Sequence, residues 1–175
     1  VRMMICTETN NAADLHLELL HKRLSAGELQ GVSVLRMLDP YRGPQSCFQS
    51  IRDAEEREEY FKRYTTRCSG KGRGTVTFDM PNAERLRTTN VFICTAEDAC
   101  TLRFYIACEL MKRAGYSPER CSKEQIFELE RRAYDSPQDF AFTHILVDEV
   151  AQMFEEKAYI PLTLAHARTV IVLAG

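Results

Sequence analysis

Four short apolar runs punctuate the chain: Met3 to Cys6, Val91 to Thr95, His144 to Val147 and Val170 to Leu173. None alternates apolar with polar positions, which is the pattern of strands covered on both faces of a parallel sheet. Helical spacing fills the stretches between them. Ala13, Leu17, Leu20 and Leu24 fall on one helical face, with Asn10 placed to cap its start and Gly27 to end it. Ala99, Leu102, Ile106 and Leu110 repeat in the same way up to Gly115. Ser122, with Gln125 in the third position after it, is a capping-box pattern that opens a helix from Lys123 to Tyr134. Strands alternating with helices predict an α/β fold, a parallel sheet with flanking helices.

The stretch from Gly31 to Arg87 breaks this rhythm. It holds a strand from Val32 to Leu38, a turn-rich segment Asp39-Pro40-Tyr41-Arg42-Gly43-Pro44, a helix from Ile51 to Tyr64 and the glycine-rich run Gly70-Lys71-Gly72-Arg73-Gly74. Eight of the eleven residues from Asp53 to Arg63 are charged, so that helix presents a solvated face. The chain is therefore divided into a sheet-forming part at 1–30, an inserted subdomain at 31–87 and a second sheet-forming part at 88–175.

Composition narrows the function. With 175 residues, 45% hydrophobic and 27% charged, the chain is a globular domain able to bury a core. A formal net charge of -2 and a pI near 6.1 exclude bulk attraction to nucleic acid, so any such contact is local. The seven cysteines form no Cys-x-x-Cys pair and sit mostly in apolar runs, which points to reduced, structural thiols and an intracellular setting, cytoplasmic or nuclear. The four histidines are scattered, which excludes a zinc finger here, and no apolar run is long enough to span a bilayer. Both ends fall at core strands, as expected of a piece of a longer protein.

The strongest chemical constellation is His144-Ile145-Leu146-Val147-Asp148-Glu149-Val150-Ala151-Gln152. A buried strand here delivers adjacent carboxylates to its carboxyl end, where α/β sheets bind ligands. One carboxylate there can hold Mg2+ through its water shell while the next reaches the water that attacks a terminal phosphate. The plainer alternative is that the acidic pair caps the next element.

The wider pattern is a resemblance. Phe142 to Gln152, then Glu155-Glu156, then Ile160-Pro161-Leu162-Thr163-Leu164-Ala165, then Thr169 to Gly175, looks like helicase motif II running into motif III. Ile5-Cys6-Thr7-Glu8-Thr9-Asn10-Asn11-Ala12-Ala13-Asp14 resembles motif Ia, and Thr95 falls where motif Ic stands, with Thr95-Ala96 in place of the usual hydroxyl pair. The family is the superfamily one helicases of the up-frameshift type, and within it the branch with zinc fingers; Val150 departs from its usual alanine or serine. The resemblance implies a partial P-loop NTPase, RecA-like domain of an ATP-dependent RNA helicase that moves 5′ to 3′. Asp148 would bind Mg2+, Glu149 would activate water, and Gln152 would couple nucleotide state to grip. Thr9, Asn10 and Thr95 would touch a nucleic-acid backbone. The cofactors implied are ATP and Mg2+. The partners are RNA, or DNA for another motor of the superfamily, and a second RecA-like domain.

No Gly-x-x-x-x-Gly-Lys-Ser/Thr occurs in the chain; in the family that phosphate loop lies upstream of motif Ia, before Val1. Gly70 to Gly74 does not replace it, having Thr65 where the first glycine belongs; it reads as a surface loop, with a phosphate contact from Lys71 and Arg73 as the alternative. On its own the fragment would hydrolyse no ATP. A different class of function is a degenerate helicase-like scaffold acting as a coregulator module. Thr9 and Asn10 also suit plain capping. Cys6 and His16 as thiol and base lack an orienting third group, and Phe104, Tyr105, Met111 and Tyr116 have the spacing of core positions rather than of a base-stacking platform.

Overall fold

The structure is a computed structural model that describes residues 1–39, 46–69, 76–117, 121–122, 124–126, 128 and 140–175. The glycine-rich run and most of the helix expected after Ser122 lie outside the described residues.

Five strands form one parallel sheet: β1 at Met3–Thr7, β2 at Val34–Arg36, β5 at Val91–Thr95, β6 at His144–Val147 and β7 at Val170–Leu173, in the order β2-β5-β1-β6-β7. The fold is α/β, as the apolar runs predict. A two-stranded antiparallel sheet joins β3, Arg67–Ser69, to β4, Val76–Phe78. Alternate residues of the central strands face opposite sides. Ile5, Val34 and Ile93 pack with Ala13 and Leu17 of α1, Asn10–Ser25. Met4, Leu35, Phe92 and Cys94 pack with Ala99, Leu102 and Ile106 of α4, Ala96–Arg113. The helices α1 and α4 therefore cover opposite faces.

Caps fall close to their expected positions. Thr9, not Asn10, caps α1, its hydroxyl accepting the Ala12 N–H at 3.2 Å. Gly27 and Gly115 end α1 and α4 at φ +75 and +83, the left-handed conformation that glycine adopts without strain. The Ser122 and Gln125 side chains each bond the other's backbone N–H, as a capping box requires.

The segment from 31 to 87 is built into the core rather than set apart from it. β2 is an edge of the main sheet, shorter than the expected Val32 to Leu38. Asp53 caps α2, Ala54–Tyr64, so Ile51 and Arg52 precede the helix. Its last turns bury Tyr60, Phe61 and Tyr64 against Phe48, Phe78 and α1. A short α3, Ala83–Thr88, buries Leu86 and leads into β5.

Two expectations are corrected. Met111 is core, but Phe104, off the face of α4 that meets the sheet, is 55% exposed, and Tyr116, beyond the end of α4, is 48% exposed. More consequentially, β7 is not covered on both faces: Val170, Ile171, Val172 and Leu173 are 43% to 56% exposed. The strand pairs with β6 at the sheet's end and has neither a further strand nor a helix over it among the described residues.

Candidate functional site

Because the strands are parallel and in register, their carboxyl ends emerge along one edge. Thr7 lies opposite Thr95, Cys6 opposite both Cys94 and Val147, and Val147 opposite Leu173. The residues following each strand, Glu8 to Asn10, Ala96 to Asp98, Asp148 to Gln152, and Ala174-Gly175, are thereby placed along this edge.

Asp148 and Glu149 leave β6 in a tight turn. The Asp148 N–H donates to the Cys6 carbonyl at 2.8 Å, the Val150 N–H to the Ala174 carbonyl at 2.9 Å, and the Glu149 N–H to Asp148 Oδ1 at 3.0 Å. Glu149 itself is left-handed at φ 59, a conformation that costs a non-glycine residue energy and persists only where its surroundings fix it. Val150–Gln152 then form one 3-10 turn before α5, Glu155–Leu162. Gly175 belongs to this turn: an added Cβ would stand 3.0 Å from the Ala151 nitrogen, so the two loops meet at backbone contact.

The acidic pair is joined to α1. Asp148 Oδ2 accepts from His16 Nε2 at 2.8 Å, and Glu149 Oε2 stands 3.5 Å from the Thr9 hydroxyl. Both carboxylates are half-buried, and the Gln152 side chain is exposed. Asp148 offers a metal one carboxylate, with no group of three or more ligating side chains among the described residues. That donor set fits Mg2+, which keeps several waters and leans on substrate phosphates, and not a metal that demands an all-protein cage.

The other half of the edge is closed. Thr95 caps α4 in a reciprocal box with Asp98, its hydroxyl taking the Asp98 N–H at 3.2 Å while Asp98 Oδ2 takes the Thr95 N–H at 3.1 Å. Thr95 is 3% exposed, and its hydroxyl accepts the bond that caps α4. Asp98, Asp14 and Asn10 converge on Arg36 at the end of β2. Burial pushes the Asp98 carboxyl above its ordinary value, against the pull of Arg36. In front of these, Lys157 of α5 bridges Glu8 at 3.0 Å and Glu97 at 2.7 Å.

The thiol reading fails on geometry. Cys6 is fully buried and His16 is engaged by Asp148. The neighbouring Cys6 thiol, with burial, holds Cys94 well above the usual thiol value, which makes it inert. Sequence reasoning missed Arg36 and Asp14, although each carried a signal: a lone charge within Val32 to Leu38, and a carboxylate beside the apolar face of α1. His16 and Lys157 carried none.

Comparison with known proteins agrees with the resemblance. Over 175 residues, 99% of this chain, it is 28% identical to a "Probable helicase with zinc finger domain" of Homo sapiens and 27% identical to the Danio rerio protein of that name. It is also 27% identical over the same span to "3'-5' exoribonuclease HELZ2" of Homo sapiens. The chain spans about 7% of the length of the first two relatives and 4% of the third. No family model and no solved structure matches.

Proposed function

We propose that this chain is part of the first motor domain of an ATP-driven RNA helicase similar to the zinc-finger branch of the up-frameshift type. The observation that carries the reading is the acidic pair at the carboxyl end of β6, with Glu149 held left-handed beside Thr9 and the turn packed against Gly175. The helicase names of relatives matched over the whole chain support it, and the choice of RNA over DNA follows that branch.

In this reading Asp148 holds the Mg2+ water shell, and the metal supplies charge neutralisation on the phosphates of ATP. Glu149 takes the proton of the attacking water. Gln152, exposed one turn on, meets the terminal phosphate. Thr9, Asn10 and the amino end of α1 meet a nucleic-acid backbone, for which hydroxyl, amide and helix N–H donors are suited. The bare edge of β7 and an apolar groove of about 790 Å³ lined by Ile5, His16, Leu19 and Leu20 are where an upstream phosphate-loop strand and helix complete the pocket.

The test is ATP hydrolysis by the full-length protein with and without RNA. Glu149→Gln is expected to lower turnover about 10²- to 10⁴-fold, the contribution of a general base, with nucleotide and RNA binding kept. Undiminished turnover in that variant refutes the role. A helicase-like scaffold is the second reading. Wild-type protein that neither binds RNA nor hydrolyses ATP refutes the motor reading and leaves the scaffold in its place.

A further inference from the structure

Arg36 is fully buried, and its fork is divided among three elements. Nε donates to Asp14 Oδ1 at 2.9 Å and Nη2 to Asn10 Oδ1 at 2.8 Å, both on α1; Nη1 reaches Asp98 Oδ2 at 3.4 Å, on α4, and also the Met37 carbonyl. Asp14 Oδ2 in turn accepts the Phe48 N–H at 3.0 Å. One guanidinium therefore locks the amino ends of two helices that lie on opposite faces of the sheet.

The chemistry of this lock fixes more than position. Guanidinium is a donor only, so it accepts no hydrogen bond and repels an amide's NH2 group. Asn10 must present its oxygen to Arg36, which leaves both N–H donors of its amide for an acceptor outside the network. The geometry points to Arg36 as a positioning residue that orients the Asn10 amide as a donor toward nucleic-acid phosphate or sugar oxygens, and couples that contact to the α4 cap through Asp98. This rests on the proposed nucleic-acid role of the α1 amino end.

The decisive variant is Asn10→Asp in the full-length protein. It keeps an acceptor for Arg36, so the lock survives, but it loses the donors and adds a charge that phosphate repels. Expected are an unchanged or higher Tm, an RNA Kd raised about tenfold, and a nucleotide Kd within about twofold of wild type. Arg36→Lys, which cannot hold the fork, is expected to weaken RNA binding as well as lower Tm. The control Leu86→Ala, in the core of the same sheet, lowers Tm and leaves RNA Kd unchanged. An Asn10→Asp variant that binds RNA like wild type overturns the proposal, and so does an Arg36→Lys variant whose RNA affinity falls no further than that of Leu86→Ala. Wild-type protein with no RNA affinity overturns the underlying reading instead, and the two failures are told apart in the same binding series.

Discussion

The two ends of the sheet edge are built on opposite principles. At the β2 and β5 end, Arg36, Asp14, Asp98 and Thr95 are buried and bonded to one another, and every strand residue of β5 is covered. At the β6 and β7 end, the carboxylates are half-exposed and the apolar strand β7 faces outward on both sides. The first end is finished by the chain itself. The second is held by backbone contacts, Val150 to Ala174 and Gly175 against Ala151, and by the His16–Asp148 bond, and leaves the Gln152 side chain exposed. Such an arrangement suits a rigid platform for one partner beside an open half-site for another.

Removing the lock tests the contrast most severely. Arg36→Met leaves Asp14 and Asp98 buried without their counter-ion, and breaking a buried pair in this way costs about 3–5 kcal/mol. The pair at the open end, His16 with Asp148, has side chains 25% and 32% exposed, so Asp148→Asn is expected to cost about 1 kcal/mol or less. Chemical denaturation of the two variants should separate them by a factor of several. Equal losses would erase the distinction between the ends.

Packing gives the next comparison. Leu102 on α4 is fully buried, and Leu102→Ala is expected to cost about 2–5 kcal/mol through lost contacts and the cavity left behind. Val172, 47% exposed on β7, has little to lose: Val172→Ala in the 175-residue chain should cost about 1 kcal/mol or less. In the full-length protein, where a further strand is proposed to lie on β7, the same substitution should become costly. Thermal melts of both lengths measure that difference, and an equally small cost in both would argue that β7 stays bare.

The finished end is the harder to read from sequence, the open end the easier. Apolar runs locate β1, β5, β6 and β7, because buried parallel strands leave continuous hydrophobic stretches. The same reasoning overstates β7: the run Val-Ile-Val-Leu has the pattern of a strand covered on both faces, and the described residues leave it exposed. The acidic pair is legible because its residues are adjacent in sequence. Arg36 stands 22 positions from Asp14 and 62 from Asp98, and the register of both β1 and β2 against β5 brings them together. Thr95 illustrates the remaining gap: its residue type fits a ligand contact and a cap equally, and only the structure shows that its hydroxyl makes the cap.

Gly175 sharpens the account of how the open end is held. A Cβ at this position would stand 3.0 Å from the Ala151 backbone nitrogen and 3.1 Å from the Ala151 Cβ, and neither atom is the far end of a flexible side chain. Gly175→Ala should therefore push the turn away from β7, at about 1–3 kcal/mol for overpacking. Its effect on ATP turnover in the full-length protein should exceed its effect on Tm, because Glu149 shares that turn. A loss of stability with turnover unchanged would show that the turn tolerates the shift.

The smallest effect belongs to the bridge that joins the two ends. Lys157 ties Glu8 and Glu97 to α5, its ammonium raised above the usual value by the Glu97 and then the Glu8 hydrogen bonds. Burial pushes Glu97 up, but the Lys157 bond and charge outweigh it and leave the carboxyl below its ordinary value. The signs follow from linkage. Glu97 contributes stability above the ordinary glutamate range and loses it as pH falls through its lowered folded value; Lys157 contributes below the ordinary lysine range and loses it as pH rises through its raised one. The bridge is thus complete at neutral pH and fails in acid and in strong base. Lys157→Ala should give the smallest Tm decrease of the series near pH 7, shrinking as pH falls through the lowered value of Glu97, and fading at about 1 M salt, where the Debye length is about 3 Å. A decrease that persists through acid and salt would mean that Lys157 acts by packing its stem on the sheet edge rather than by charge, and the two ends would then be joined by contact instead of by a titratable link.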